Sequence, residues 1–375
     1  MADAENAPDR QTNVGRWSLA MALGLLAVAF LRLVPAENGG LRATRETDRD
    51  ISLASVAGAG DQRGRSATVP SDIPAKGWRD ILLRAYAGIG EHRIMALAAG
   101  ITYYSILAIF PALAALVAIY GLFSDPGSIA KHLDEATGLV PGGAIDVARE
   151  QLMRVAAKGS RTLGWTFVIG LAISLWSANA AMKALFDTLN IVYGEQEKRS
   201  FVKLNAISLA FTLGGIAFIL LALGTVVIVP VALNYLGLSD FADLLVRVVR
   251  WPAMFVVLAL ALACIYRFGP SREAPRWRWI TWGSVVATVL WIAASVLFSW
   301  YAANFGTFNK TYGSLGAAVG FMTWLWISAI VILLGAEMDA EMEHQTARDT
   351  TTGSARPLGR RGARMADTIG APKAG

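Results

Sequence analysis

Three histidines, one cysteine and a sparse set of carboxylates are the stock from which this 375-residue chain could build a reactive centre. His92, His132 and His344 stand far apart, and no HxH, HExxH or CxxC spacing exists. Zinc sites draw their ligands from such spacings, so neither a metal nor another cofactor is expected. Phosphodiester hydrolysis would need metal-held carboxylates or His-based acid–base groups. Asp187, Glu337, Asp339 and Glu341 are the conceivable metal set, and nothing in the sequence draws them together. No catalytic residue is assigned, and the expectation is a protein that is not an enzyme. Cys264, the single cysteine, reads as a small apolar residue and excludes an intrachain disulfide.

The remaining chemistry is that of a polar path. Asn179, Lys183, Asp187 and Asn190 recur at roughly helical spacing, and Lys183 and Asp187 are four apart and could pair. They would form a polar entrance, or else a helix end emerging into water with Lys183 snorkelling. Glu337 and Glu341, also four apart, end a later apolar run with Asp339 between them. Asn304, Asn309, Lys310 and Tyr312 crowd a short loop, where they would line a vestibule or form a polar turn. The candidate pathway residues are therefore Asn179, Lys183, Asp187, Asn304, Tyr312 and Glu337.

The elements that must position these residues are six long apolar runs, at about 94–123, 162–182, 206–233, 251–266, 280–303 and 315–336. A membrane's hydrocarbon core of about 30 Å needs around 20 such residues. Hydrophobic residues make up 55% of the chain and charged ones 17%, below the roughly 25% charge of soluble domains. The predicted class is all-α: a polytopic helical membrane protein with a six-helix transmembrane core. An extra N-terminal transmembrane helix and interfacial amphipathic helices accompany that core.

Loop charge predicts orientation. The segment before the first run, the second loop, the fourth loop and the C-terminal tail together carry eighteen Lys and Arg, and the other three loops carry eight. Both ends of the core are therefore expected in the cytoplasm. The net charge of +6 then reflects loop anchoring, and no nucleic-acid partner is expected, because no compact Lys/Arg cluster with interleaved aromatics stands out.

An earlier apolar run, Trp17 to Val34, best fits a span with its N-terminus outside, since acids crowd the outer flank and Arg32, Arg42, Arg45 and Arg49 the inner one; the alternative is a weak interfacial segment. A cleaved signal peptide is disfavoured, because no A-x-A site follows. The domain reading is a tail at 1–16, the extra helix at 17–35, a flexible linker at 36–75, the core at 76–345 and a disordered basic tail at 346–375.

Residues 77–93 place Trp78, Ile81, Leu82, Ala85, Tyr86 and Ile89 on one helical face. Such a helix would lie in the membrane interface or pack on the protein itself. Amphipathic segments are also expected around Ile145–Val155 and over 240–250. Pro252 would open the following span in its first turn. Pro111 would kink the first span. Gly316 and Gly320 form a GxxxG pair that would allow close helix packing, within the chain sooner than between copies.

AAGITYYSILAIFP (98–111), LWSANAAMKALFDTLNIVY (175–193), YRFGP (266–270), SWYAANFGTFNKTYGSLGA (299–317) and LLGAEMDAE (333–341) together resemble the YihY/BrkB family of bacterial inner-membrane proteins, once labelled ribonuclease BN. The likeness covers about residues 76–345. It implies a six-helix integral membrane protein with both ends inside, but no particular reaction. The family's name links it to virulence and resistance to host serum, which suits an envelope role. Three functions are weighed: movement of an envelope lipid or other amphiphilic or small substrate, a membrane scaffold, and, distantly, tRNA processing. The lipid bilayer is the one assured partner. No oligomeric state is assigned.

Overall fold

The spans do not stop where the apolar runs stop. The structure is a computed structural model that describes residues 62–121, 165–223, 240–305 and 314–373. Helix α1 (Ala75–Glu91) leads into α2 (Ile94–Gly121); α3 is Trp165–Val192 and α4 Phe201–Leu223. Then follow α5 (Asp240–Phe268), α6 (Trp277–Phe305), α7 (Ser314–Gln345) and a single turn, α8 (Arg364–Asp367). Helix α7 has 32 residues, about 48 Å at 1.5 Å per residue, against a hydrocarbon core of about 30 Å. Its last turns, EMDAEMEHQ, carry charge and remain helical.

The described residues form a polytopic helical bundle, as expected. Five helical segments are long and apolar enough to cross a membrane: Val168–Val192, Phe201–Leu221, Trp251–Phe268, Trp277–Tyr301 and Ala318–Gln345. The bent pair Ala75–Glu91 and Ile94–Ile109, with a 62° angle at the break, passes the same test when taken together and makes a sixth if it counts as one span. Arg93 makes that bend with a left-handed φ of 52°, a conformation uncommon for a residue with a side chain.

Helix α2 packs against α3 and α7; α7 also meets α1, α3 and α6; α6 meets α5, and α3 meets α4. One apolar cluster joins five of these helices, with Ile94 and Ala98 from α2, Leu185 and Leu189 from α3, Ala263 and Tyr266 from α5, Ala287 from α6, and Leu333, Ala336 and Ala340 from α7. Close backbone approach occurs where α6 and α7 meet. A Cβ on Gly335 would lie 2.6 Å from the Ala287 Cβ and 2.6 Å from the Tyr266 hydroxyl. Among the described residues nothing lies within 4 Å of a Cβ built on Gly320, and the close small-residue contact lies four turns further along α7. The surroundings of Gly316 lie outside what the structure describes.

Three further expectations are corrected. Pro252 lies inside α5, not in its first turn, because the amphipathic stretch from Asp240 and the span form one helix. Membrane helices tolerate such prolines when neighbours re-satisfy the freed carbonyl. Residues 62–74, expected as flexible linker, are ordered by Ile73 and Ala67 packing on Ile81, Trp279 and Met342. Residues 346–373, expected as a disordered tail, run along one end of the bundle in contact with it. Arg361 orders them: its guanidinium is buried and donates to the carbonyls of Ala347 (2.7 Å), Arg348 (3.1 Å), Arg356 (3.1 Å) and Ala366 (2.6 Å). Such a polar segment can be ordered without a core of its own when the backbone groups it buries find partners. The run at 17–35 and the segment at 145–155 lie outside the described residues.

All four basic segments singled out by loop charge meet at this one end, which we term the basal face. Arg276 N donates to Thr350 O at 2.8 Å, Glu273 N to Gly362 O at 3.1 Å, and Ala347 N to Arg65 O at 2.8 Å. Arg364 N donates to Glu195 Oε1 at 2.6 Å, which ties in the α3–α4 loop.

Candidate functional site

Two sets of polar groups sit at membrane spans, and they face different ways. The first is a seam between α3 and α4. On α4, Asn205, Ser208 and Thr212 fall on one face at i, i+3 and i+7, and all three are buried. On α3, Asn179 and Lys183 meet them. Thr212 Oγ1 donates to Asn179 Oδ1 at 3.2 Å, and Lys183 Nζ donates to Asn205 Oδ1 at 3.1 Å. Thr212 Oγ1 also lies 2.9 Å from Ser208 O, and the Asn205 amide donates to Phe201 O at 2.8 Å. The expected pairing of Lys183 with Asp187 is replaced by this cross-helix bond, and Asp187 is exposed.

The mouth of the seam is aromatic and cationic. The Lys183 ammonium stands 5.1 Å from the centroid of the Trp176 ring, a cation–π arrangement. Trp176 and Phe201 are tilted together at 6.3 Å, and both are exposed. Deeper in, Asn179 is fully buried and its Nδ2 has no hydrogen-bond partner. An unmade bond of this kind costs about 1–3 kcal/mol. The seam thus holds a lysine, a free amide donor and two hydroxyls, a set suited to phosphate or carbonyl oxygens.

The second set fills the basal face around α7, whose four acids each have a different partner. Glu337 Oε1 lies 2.8 Å from His92 Nδ1 at the α1–α2 bend. Glu337 abuts Gly88 so closely that a Cβ there would overlap its carboxylate. Asp339 Oδ1 accepts from Gly283 N of α6 at 2.8 Å. Glu341 pairs with Arg84 of α1, and Arg84 also donates to Gln345 Oε1 at 2.7 Å. Glu343 forms a two-point pair with Arg272, at 2.9 Å for both bonds, with both side chains fully buried. Arg272 also lies 4.0 Å from the Tyr193 ring centroid.

Asn190 of α3 belongs to the basal set: its Oδ1 accepts from Ser271 N at 2.7 Å and its Nδ2 donates to Glu197 Oε2 at 3.2 Å. Glu197 in turn binds the Arg199 guanidinium through both oxygens at 2.7 Å. Hydrogen bonds from Arg199 and its charge hold the Glu197 carboxyl at about 2, below its ordinary 4.5. A depressed carboxyl stabilises the fold above its unfolded pKa and loses that contribution as pH falls through the folded one. Acid titration between about pH 4.5 and 2 should therefore remove a stabilising contribution from the wild type. The same titration of Glu197→Gln should lack it, as read by thermal unfolding in detergent. Identical acid profiles for the two proteins would remove Glu197 from the account.

The structure does not join Glu337 to the Asn179–Lys183 seam. Glu337 is engaged by α1, Lys183 by α4, and the α2, α3 and α7 side chains of that region belong to the apolar cluster. Side-chain contacts of Asn304 and all of Tyr312 lie outside the described residues. Among the described residues no group of three or more His, Cys, Asp or Glu could hold a metal ion. The basal network is not legible in the sequence because its members come from distant positions, such as Arg84 and Gln345, 261 residues apart. One signal was available. Glu337, Asp339, Glu341 and Glu343 alternate along a single helix, so they must face more than one neighbour.

Against known proteins, the family described as Virulence factor BrkB matches residues 85–358. The ribonuclease-like protein YfkH of Bacillus subtilis is 32% identical over 185 residues, covering 47% of this chain and 66% of that protein. A UPF0761 membrane protein of Methylibium petroleiphilum is 24% identical over 282 residues, 74% of this chain and 66% of its own length. A UPF0761 membrane protein of Alkalilimnicola ehrlichii is 28% identical over 274 residues, 69% of this chain and 57% of its own length. The chain thus spans just under two thirds, or less, of the length of these relatives. No solved structure matches.

Proposed function

The chain belongs to the BrkB family of membrane proteins, and from that premise we propose that it moves an amphiphile across the bacterial inner membrane without enzymatic chemistry. The observation that carries this reading is the α3–α4 seam. A lipid's headgroup needs polar partners to cross hydrocarbon, while its tails need none. Asn179, Lys183, Asn205, Ser208 and Thr212 supply partners along one line between two helices. A lysine within a span is costly and marks function by default. Lys183 and the unbonded Asn179 amide would receive the headgroup oxygens, and Trp176 and Phe201 would guide it at the mouth.

In this reading the basal face lies in the cytoplasm. The four basic segments gathered there agree with the rule that cytoplasmic loops keep Lys and Arg. The core's N- and C-terminal ends are then both inside.

A scaffold role is the second reading, favoured by the ordered segment 346–373 that covers the basal face. Nuclease chemistry, suggested by the name of the Bacillus relative, gains no support, because Glu337, Asp339 and Glu341 are each turned to a different partner.

The test is flux. Purified protein in sealed vesicles should carry fluorescent phospholipid between leaflets faster than empty vesicles do. A stoichiometric protein partner with no flux of any envelope lipid would replace this reading with the scaffold.

A further inference from the structure

Helix α1 has two faces with different tasks. Gly77, Asp80, Ile81, Arg84, Ala85 and Gly88 are buried. Their polar members are satisfied within the protein: Asp80 by Arg63, and Arg84 by Glu341 and Gln345. The opposite face carries Arg79, Leu82, Leu83 and Tyr86, with Lys76 at its start. Leu82 is 54% and Tyr86 76% exposed. The amphipathic face expected from the sequence is thus divided, with Ile81 and Ala85 turned to the protein and Leu82 and Tyr86 turned away from it.

The surroundings of this outer face identify its occupant. Two residues after α1 ends, the chain turns through 62° and enters the apolar helix α2. A helix so inclined to a span, and ending where that span begins, is placed to run at the level of the headgroups. Arg79 and Arg93 are exposed at the two ends of the apolar patch, and Lys76 near the first keeps a hydrogen bond to Gln62. Glu91 is the exposed acid, and the other acid of α1, Asp80, is buried. We propose that α1 docks on an anionic lipid leaflet, with Leu82, Leu83 and Tyr86 in the acyl boundary and Lys76, Arg79 and Arg93 on lipid phosphates. Interfacial helices bind in this way, by apolar area plus attraction to anionic headgroups. The proposal stands whether or not α3 and α4 move a lipid.

The test uses spin labels at Leu82→Cys and Tyr86→Cys in a Cys264→Ser protein, with Cys264→Ala as the alternative background if Ser impairs folding. The protein is placed in nanodiscs of phosphatidylcholine alone, or with phosphatidylglycerol added. Both labels should collide with oxygen and be protected from a water-soluble nickel chelate. Protection should deepen when phosphatidylglycerol is added, and Lys76→Gln/Arg79→Gln should lessen that deepening. Labels open to the nickel chelate would place the face in water, and labels shielded from both reagents would place it against protein. Either result, or indifference to phosphatidylglycerol, overturns the proposal.

Discussion

Replacing Arg272 with Met is expected to cost the protein about 3–5 kcal/mol of stability, the usual range for breaking a buried ion pair by removing one partner. Arg272 and Glu343 are both fully buried and joined by two bonds. Without the guanidinium, the Glu343 carboxylate keeps only the Thr350 hydroxyl, at 3.1 Å, and remains enclosed. Tyr193 loses the cation over its ring as well. Glu343→Gln should be similarly damaging for the complementary reason, a buried cation left unpaired. The double variant Arg272→Met/Glu343→Leu should recover most of the loss, because apolar side chains of similar volume often replace a buried pair at little cost. Unfolding by a denaturing detergent measures the three variants against the wild type. Single variants within about 1 kcal/mol of wild type would show that the pair is not closed off from water.

The second large effect is expected at Gly283. A methyl group there would overlap the Asp339 carboxylate and the Gly335 carbonyl. Because Gly335 O is backbone, the clash cannot be relieved by side-chain rotation alone. Helices α6 and α7 must part, or Asp339 must swing and lose its 2.8 Å bond from Gly283 N. Overpacking costs about 1–3 kcal/mol, and a stranded buried acceptor about 1–3 kcal/mol more. Gly320→Ala provides the contrast. Its Cβ enters open space, and alanine exceeds glycine in helix propensity by about 1 kcal/mol, so this variant should be neutral or slightly stabilising. The same unfolding titration compares them, and equal behaviour of the two glycines would contradict the packing described.

That contrast also shows what the sequence could and could not disclose. The GxxxG pair at Gly316 and Gly320 is a local pattern, readable on one helix. Whether a glycine is crowded depends on what the neighbouring helix presents. Gly283 and Gly335 lie in different apolar runs, and only the fold brings them together. The helical class was legible because it rests on run length, and the common side of the four basic segments was legible because topology groups alternate loops. The division of α1 into a protein face and an outer face was half legible: the amphipathic period was visible, but the burial of Asp80 and Arg84 requires partners from residues 63, 341 and 345. The order in residues 346–373 was not legible. Their composition resembles a solvated tail, and what fixes them is hydrogen bonding of Arg361 to main-chain carbonyls, which leaves no hydrophobic signature. At the seam, Asn179 and Lys183 were found by type and spacing, whereas Asn205, Ser208 and Thr212 had no charge to mark them.

The seam carries the functional claim, and restraining it is the most direct trial. Cysteines placed at Phe186 of α3 and Phe211 of α4, whose rings meet edge to face at 5.5 Å and which are not among the polar groups of the seam, can be joined in a Cys264→Ser background by a short reducible thiosulfonate cross-linker. Lipid flux is then measured in sealed vesicles before and after reduction. The account predicts that cross-linking α3 to α4 lowers flux to the level of empty vesicles and that reduction restores it. Flux that persists unchanged through the cross-linked seam would contradict the account.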